Sequence, residues 1–387
     1  MDDPVDVLAV GAGFGGLALA AFCARRGLRV TVLERRPQLA PEGVGVVIQP
    51  NGLAVLEQLG VLDRALAVGQ QVTTVSQCDP SGRVRARATY SELAHSHAFI
   101  LVVERTVLIS VLAESLPANV NLRCGCTVTR VERMDGRVVG VCYTNALGAH
   151  GTLKAGLVVG ADGANSTVRA ALPGVRLRWQ TGPDRYLIGI SPHEPTEDEA
   201  RLYCGPGWCD GTLPLRGRTY FFDHIVGESQ DAVERGDFES WRAIYSHRVP
   251  QGAEITAGLT SFEQVGFLSG RTHRCVPRVR PGVALLGDAA AAVHPHNGQG
   301  ANLALEDAYA LGTTLGEHGP ADDRALAAYA RQRDAKARRY VPWSLLIGRV
   351  LDGPSLGWRA ARRISYFTTN HLPAARRDGV RRQAGLA

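Results

Sequence analysis

Lysine is nearly missing from this chain: Lys154 and Lys336 are the only two, and arginine carries the rest of the positive side-chain charge. With a formal net charge of +6, nucleic-acid binding has to be weighed. The arginines form no stripe interleaved with aromatics, so the pattern expected of a strand-binding groove is absent. The densest basic cluster (Arg359, Arg362, Arg363, Arg376, Arg377, Arg381, Arg382) reads as a solvated helix face and tail. No apolar run reaches membrane-span length. The opening MDDPVDV is acidic and runs straight into an apolar strand, so no signal peptide is expected and the protein is read as cytoplasmic. The eight cysteines are scattered without a CxxC, and only Cys124 and Cys126 lie close together. Neither a disulfide framework nor a metal site is therefore expected. No internal repeat or low-complexity linker interrupts the 387 residues, a length that implies two domains or one large composite.

What is present is concentrated first between Val5 and Glu34. An apolar run, Val5 to Val10, reads as a buried parallel strand, followed by Gly11-x-Gly13-x-x-Gly16, a helical segment, a Gly27 stop and a second strand ending at Glu34. The glycines suit a tight turn, a backbone that approaches a pyrophosphate, and close helix–strand packing. The helix start offers unpaired N–H groups and partial positive charge to phosphates. Glu34 can accept hydrogen bonds from ribose hydroxyls. This predicts a dinucleotide site without deciding between NAD and FAD.

Further along, Gly43 and Gly45 flank the start of a short extended piece, VGVVI, and Pro50-Asn51 opens a helix. Residues 70–100 and the meander around Asp135-Gly136 are β-rich. Residues 176–265 lose any βαβ rhythm and read as short strands of an antiparallel second layer. Two later stretches carry chemistry. In LVVGADGANSTVR a strand ends in Gly160-Ala161-Asp162-Gly163, with Ser166 and Arg169 at a helix start. In VALLGDAAAAVHPHNGQGANLALEDA a strand ends at Gly287-Asp288, and Gly300-Ala301-Asn302 opens a helix. An aspartate at a strand's carboxyl end suits polyol hydroxyls, and a glycine-preceded helix N-terminus suits developing negative charge.

Together, GAGFGG, Arg105 before a helix, GADGANSTVR and GDAAAAVHPHNGQGANLALEDA resemble the class A FAD-dependent aromatic hydroxylases, the para-hydroxybenzoate hydroxylase-like monooxygenases. The resemblance runs from about Val5 to about Val350, and in residues 176–265 it is one of general character only. It implies an α/β fold: a Rossmann-like FAD-binding domain of the glutathione reductase type, an inserted antiparallel β-sheet domain for substrate, and C-terminal helices. The expected FAD domain is discontinuous, residues 1–75, 100–175 and 270–350; residues 76–99 and 176–269 form the substrate domain, and 351–387 a C-terminal helix and tail.

Position by position, the resemblance implies that Gly11, Gly13, Phe14, Gly15 and Gly16 cradle the FAD pyrophosphate while Glu34 holds the adenosine ribose. Arg35 or Arg36 approaches the adenine or phosphate side, Gly45 and Val46 line the flavin, Arg105 reaches the pyrophosphate or ribityl chain, and Val128 contacts adenine. Asp288 binds the ribityl region, and Gly298, Gly300, Ala301 and Asn302 present N–H groups to the flavin N1–C2=O edge. Asp162, Ser166 and Arg169 form the motif linked to both FAD and nicotinamide. One departure is visible: the histidine common at the fifth position of Gly-Asp-Ala-Ala-His is Ala291, with His294 and His296 nearby to act in its place.

The implied chemistry is NAD(P)H-driven monooxygenation of a small aromatic or polyketide-like substrate through a flavin C4a-hydroperoxide, by hydroxylation or epoxidation. FAD is expected to be tightly bound without a covalent link. No second GxGxxG exists, so NADH or NADPH docks transiently on the FAD domain. Candidate bases for a phenolic proton are His294, His296, Tyr220 and His224. Strand alternation points Tyr220 and Phe222 into the cavity, Pro295 resembles the proline beside the flavin ring, and Arg201 or Arg218 is a candidate partner for a substrate carboxylate. A monomer or homodimer without nucleic acid or membrane span is expected. A same-fold reductase of a prenyl-lipid double bond stays open. A flavin halogenase is disfavoured because Trp-x-Trp-x-Ile-Pro is missing and neither lysine is well placed.

Overall fold

The structure, a computed structural model, describes residues 3–39, 44–178, 181 and 185–387; Gly43 lies outside the described residues. The Val5–Val10 strand is buried on both faces along its last four residues, as its unbroken apolar run requires. It pairs in parallel with Val30–Leu33 on one side and His150–Gly160 on the other. Val120–Arg123 and Val283–Leu285 extend this parallel core in both directions. Parallel neighbours need crossover connections. The first crossover is the helix Phe14–Ala24, buried along its whole length. It can be apolar all round because the sheet covers one side and the helix Gly300–His318 the other. An antiparallel arm, Thr127–Met134 with Arg137–Thr144, joins the long strand His150–Gly160.

The second layer is a seven-stranded sheet. Its order runs Gly266–Ser269, Arg185–Ser191, Arg218–His224, Cys209–Leu215, Ala200–Cys204, Thr74–Cys78, Val84–Thr89. Every pairing is antiparallel except Ala200–Cys204 with Thr74–Cys78. The reading of residues 176–265 as β-pieces alone missed three helices, Glu228–Arg235, Phe238–Arg248 and Gly252–Thr256. They cover the sheet face away from the cavity, where Trp241 and Tyr245 pack with Phe221. The local signal was Asp237, which caps the second of these helices by accepting from the Ser240 N–H at 3.0 Å.

A small antiparallel sheet, Gly45–Ile48, Ile100–Glu104 and Gln70–Val72, joins the two layers. The helix Asp323–Asp352 runs unbroken through Pro342. Two more helices, Leu356–His371 and Pro373–Gln383, fold back over the molecule. Two arginines of the basic cluster are not part of its solvated face. Arg362 is buried and donates to the Gly205 carbonyl at 2.8 Å, and Arg376 pairs with Glu92 at 3.0 Å. The backbone N–H of Asn51 donates to the Ala384 carbonyl at 3.3 Å, and Lys336 donates to that of Gly385 at 2.8 Å. Arg359, Arg363, Arg377 and Arg381 remain exposed. Among the described residues, no helix is long and apolar enough to cross a membrane.

Candidate active site

A cavity of about 680 Å³ lies between the two layers and takes residues from both. That volume is within the ~300–1,000 Å³ usual for ligand sites. Its first half is built from backbone. Gly11, Gly13, Phe14 and Gly15 line it, with Gly16 directly behind. A Cβ on Gly16 would sit 1.9 Å from the Gly11 carbonyl oxygen, so this turn closes only around glycine. No side chain caps the Phe14–Ala24 helix and no acid stands in its first turn, which leaves its N-terminal N–H groups for an anion. Glu34 accepts from the Ala12 N–H at 2.9 Å and from the Arg36 N–H at 3.0 Å, fixing two loops while its carboxylate faces the cavity. Arg35, Arg36, Arg105 and Val128 stand on the same wall.

The second glycine-rich loop closes the far end of this half. Asp288, Gly298, Gly300 and Ala301 line the cavity. Burial pushes the Asp288 carboxyl up to about 6, the Asp307 charge adds to the rise, and the Arg169 guanidinium opposes it. Asp162 lines the cavity too, but its carboxylate accepts from Ser166 Oγ at 2.5 Å and the Val168 N–H at 3.1 Å, so it first serves the turn. Arg169 reaches across to donate to the Ala289 carbonyl at 3.0 Å. His273, from the strand paired with Ala291–Ala292, contacts both Arg169 and the Asp288 carbonyl, at 3.4 and 2.9 Å. Burial and Arg169 hold its imidazole down at about 4, hence neutral. Support for the Asp288 loop, for which His294 and His296 were candidates in place of the motif histidine, therefore comes from His273. Asn302 stands behind the wall: it accepts from the Gln49 N–H at 2.9 Å and donates to the carbonyls of Val47 and Gly298 at 3.1 and 2.7 Å.

The other half is built from side chains. Tyr220 and Phe222 line it while Phe221 points to the opposite face. The Tyr220 ring lies so close to Gly45 that a Cβ there would be 2.3 Å from it, so Gly45 faces Tyr220 as well as the cavity. Burial raises the Tyr220 phenol further above its usual range, which favours its protonated form. Val46, Pro295 and His296 complete the junction between halves. His294 is turned away: its ring packs on Gly348 of the long helix, and its N–H donates to Ser344 Oγ at 3.2 Å. Arg201 is not on the wall; it pairs with Glu197 and Glu199 at 3.1 and 2.9 Å. Arg218 pairs with Glu104 at 3.1 Å.

Several further residues stand on or near the wall. Gln49 accepts from the Tyr90 hydroxyl at 2.8 Å. Gln299 exchanges two 3.1 Å hydrogen bonds with Asn51 and donates to the Gln383 carbonyl at 2.8 Å, which brings the helix Pro373–Gln383 to the 298–300 loop. Asp352 lies behind His296. The HNGQGAN stretch signalled Gln299, but nothing local signals Gln383 or Asp352.

A polar, backbone-lined channel with two open helix starts, joined to an apolar chamber, fits an elongated dinucleotide whose redox ring ends at the chamber. Fold and site thus define a flavoprotein of the two-layer FAD type. The chain belongs to the FAD binding domain family, which matches residues 4–344. Within that family it is a class A FAD-dependent monooxygenase, with NAD(P)H as co-substrate. It is 31% identical over 344 residues to 3-amino-4-hydroxybenzoate 2-monooxygenase of Streptomyces cremeus, covering 86% of this chain and 84% of that one. Identity to 6-methylpretetramide 4-monooxygenase of Streptomyces rimosus is 29% over 387 residues, covering 96% and 90%. The crystal structure of p-nitrophenol 4-monooxygenase PnpA from Pseudomonas putida DLL-E4 shares the fold, with a TM-score of 0.83 at 20% identity over 99% of each chain.

Proposed function

We propose that this monooxygenase acts on an uncharged, largely apolar aromatic or polyketide-like substrate that carries a ring hydroxyl. The carrying observation is the charge of the chamber wall. Val75, Ile188, Leu202, Leu213, Tyr220 and Phe222 are among the residues contributed by the seven-stranded sheet, none of which is charged. The arginines that line the cavity, Arg35, Arg36, Arg105 and Arg271, come from outside that sheet's strands. Arg201 and Arg218, the two candidates for a substrate carboxylate, are held by glutamates. A carboxylate placed against these strands would lose its hydration without a cation from them in return, at a cost of several kcal/mol. Relatives named for 3-amino-4-hydroxybenzoate and 6-methylpretetramide support an aromatic substrate, and the wall chemistry favours an uncharged one.

In this reading FAD, reduced by NAD(P)H, supplies the oxygen-activating chemistry. The chain's part is to hold, orient and exclude water. Gly11 to Gly16, Glu34 and Asp288 hold the dinucleotide. The N–H groups of Gly298 to Ala301 would offer donors to negative charge on the flavin ring. Pro295 and Phe222 set the ring plane of the substrate, and Tyr220 offers a neutral hydroxyl. A panel of uncharged phenols, naphthols and polyketide cores set against matched benzoates tests this. NADH and NADPH oxidation, oxygen uptake and peroxide release should show coupled turnover with the uncharged set. Coupled turnover confined to the benzoates would overturn it.

A further inference from the structure

Asp352 is the last residue of the long helix, and its side chain, 13% exposed, meets the back of His296. His296 Nε2 lies 3.1 Å from Asp352 Oδ2, and His224 Nδ1 lies 3.7 Å from the same oxygen. The three side chains come from a loop, a helix and a strand of the second sheet, and their polar atoms all fall within 4.8 Å of one another. His296 is on the cavity wall, whereas Asp352 and His224 are not. The geometry points to Asp352 as the positioning residue for His296, with His224 behind it, in a relay that withdraws the proton of the substrate's ring hydroxyl. This rests on the hydroxyl-bearing substrate proposed above.

The step is a proton transfer. The substrate O–H bond breaks, an imidazole N–H forms on His296, and the electron pair stays on the substrate oxygen. The Asp352 carboxylate stabilises the imidazolium so formed, and the His224 ring at the same oxygen offers the next site for the proton. Other groups face His296. The His294 ring lies 4.8 Å away and Tyr186 5.3 Å, centroid to centroid, with Phe222 at 6.1 Å. Behind His224, Asp210 accepts from its backbone N–H at 2.9 Å and Arg248 donates to its backbone carbonyl at 3.4 Å. The described ion pairs of Asp352 are to these two histidines and to no arginine or lysine. Burial works to raise the Asp352 carboxyl, but the His296 hydrogen bond, with His224 and His294 near, holds it below its usual value and so ionised. A carboxylate buried only for structure would be better neutralised by a guanidinium; one paired with imidazoles answers to pH near neutrality.

The test uses holoenzyme carrying Asp352→Asn, Asp352→Glu or no substitution. Histidine proton resonances followed by NMR against pH, with His296→Asn for assignment, should show the His296 pKa falling by about 1–3 units in Asp352→Asn. With 1-naphthol, whose hydroxyl stays protonated at neutral pH, hydroxylation in Asp352→Asn should fall by about 10²-fold or more in kcat. The loss should be much smaller with 4-nitrophenol under conditions where it is already ionised, and Asp352→Glu should recover part of it. FAD content and the rate of flavin reduction should not change. An unmoved His296 titration, or equal losses on both phenols, would overturn the relay while leaving the substrate reading intact. A wild-type enzyme that turns over neither phenol but does turn over benzoates would overturn both. A stoichiometric divalent metal in purified protein, lost in Asp352→Asn, would overturn the relay and give the three side chains to the metal.

Discussion

The two halves of the cavity are made differently. The flavin half is drawn by backbone: glycines that leave no room for a side chain, helix starts without caps, and acids at strand ends. The substrate half is drawn by side chains that alternate along antiparallel strands. A backbone-drawn wall fails as a whole when one position acquires an atom, whereas a side-chain wall can be reshaped one residue at a time. Cofactor identity is therefore rigid and substrate identity adjustable within one cavity.

The harshest way to break this contrast is at Gly16. Gly16→Ala puts a methyl 1.9 Å from a carbonyl oxygen of the same turn. We expect colourless protein with stability lowered by about 1–3 kcal/mol, read by flavin absorbance and thermal melting. Full FAD retention would show that the turn can open. On the other wall, Phe222→Ala should leave FAD content intact while kcat/KM falls about 10–200-fold and peroxide release rises; loss of flavin there would erase the distinction between the halves. Asp288 sharpens it through pH. Its folded-state carboxyl is up at about 6, so the folded protein holds the proton more tightly than the unfolded chain. Its contribution to stability is most favourable at low pH and declines as pH rises from about 4 to about 6. Asp288→Asn should thus raise the apoprotein melting temperature above pH 6, leave it unchanged below pH 4, and weaken FAD binding. A pH-independent difference would show that Asp288 ionises normally. The smallest effect belongs to Arg201→Ala: kcat/KM unchanged and stability altered by less than about 1 kcal/mol, because its glutamate pairs lie outside the cavity. A large rise in KM would return Arg201 to the substrate.

The flavin half was largely legible in the sequence because local rules write it. Gly11, Gly13, Gly16, Glu34, Asp288 and Gly300 each stand where a strand ends or a helix begins, and those boundaries are short-range. Tyr220 and Phe222 were legible through strand alternation, which holds once the strand is recognised. Other residues resisted for separate reasons. Arg201 sits two and four residues from Glu199 and Glu197, and its pairing is visible once those acids are weighed as partners. His294 and His296 flank Pro295 symmetrically in sequence, yet one packs on Gly348 and the other faces the cavity, a choice made by the long helix. Asp352 and His273 enter from elements whose own sequence says nothing of the loop they support, and only tertiary packing pairs them with it. The helices between Glu228 and Thr256 were lost because glycines and short apolar pieces on both sides suggested strands.

Gln383, Ala384 and Gly385 bond to Gln299, Asn51 and Lys336, so the 298–302 loop is braced by a helix and turn from a distant part of the chain. The opening βαβ unit begins the site, yet the loop that completes it leans on residues most of the chain away. Contacts between such distant points in the chain also form late because of the loop-closure entropy they carry. A chain in which these contacts were broken would present the 298–302 loop without its brace.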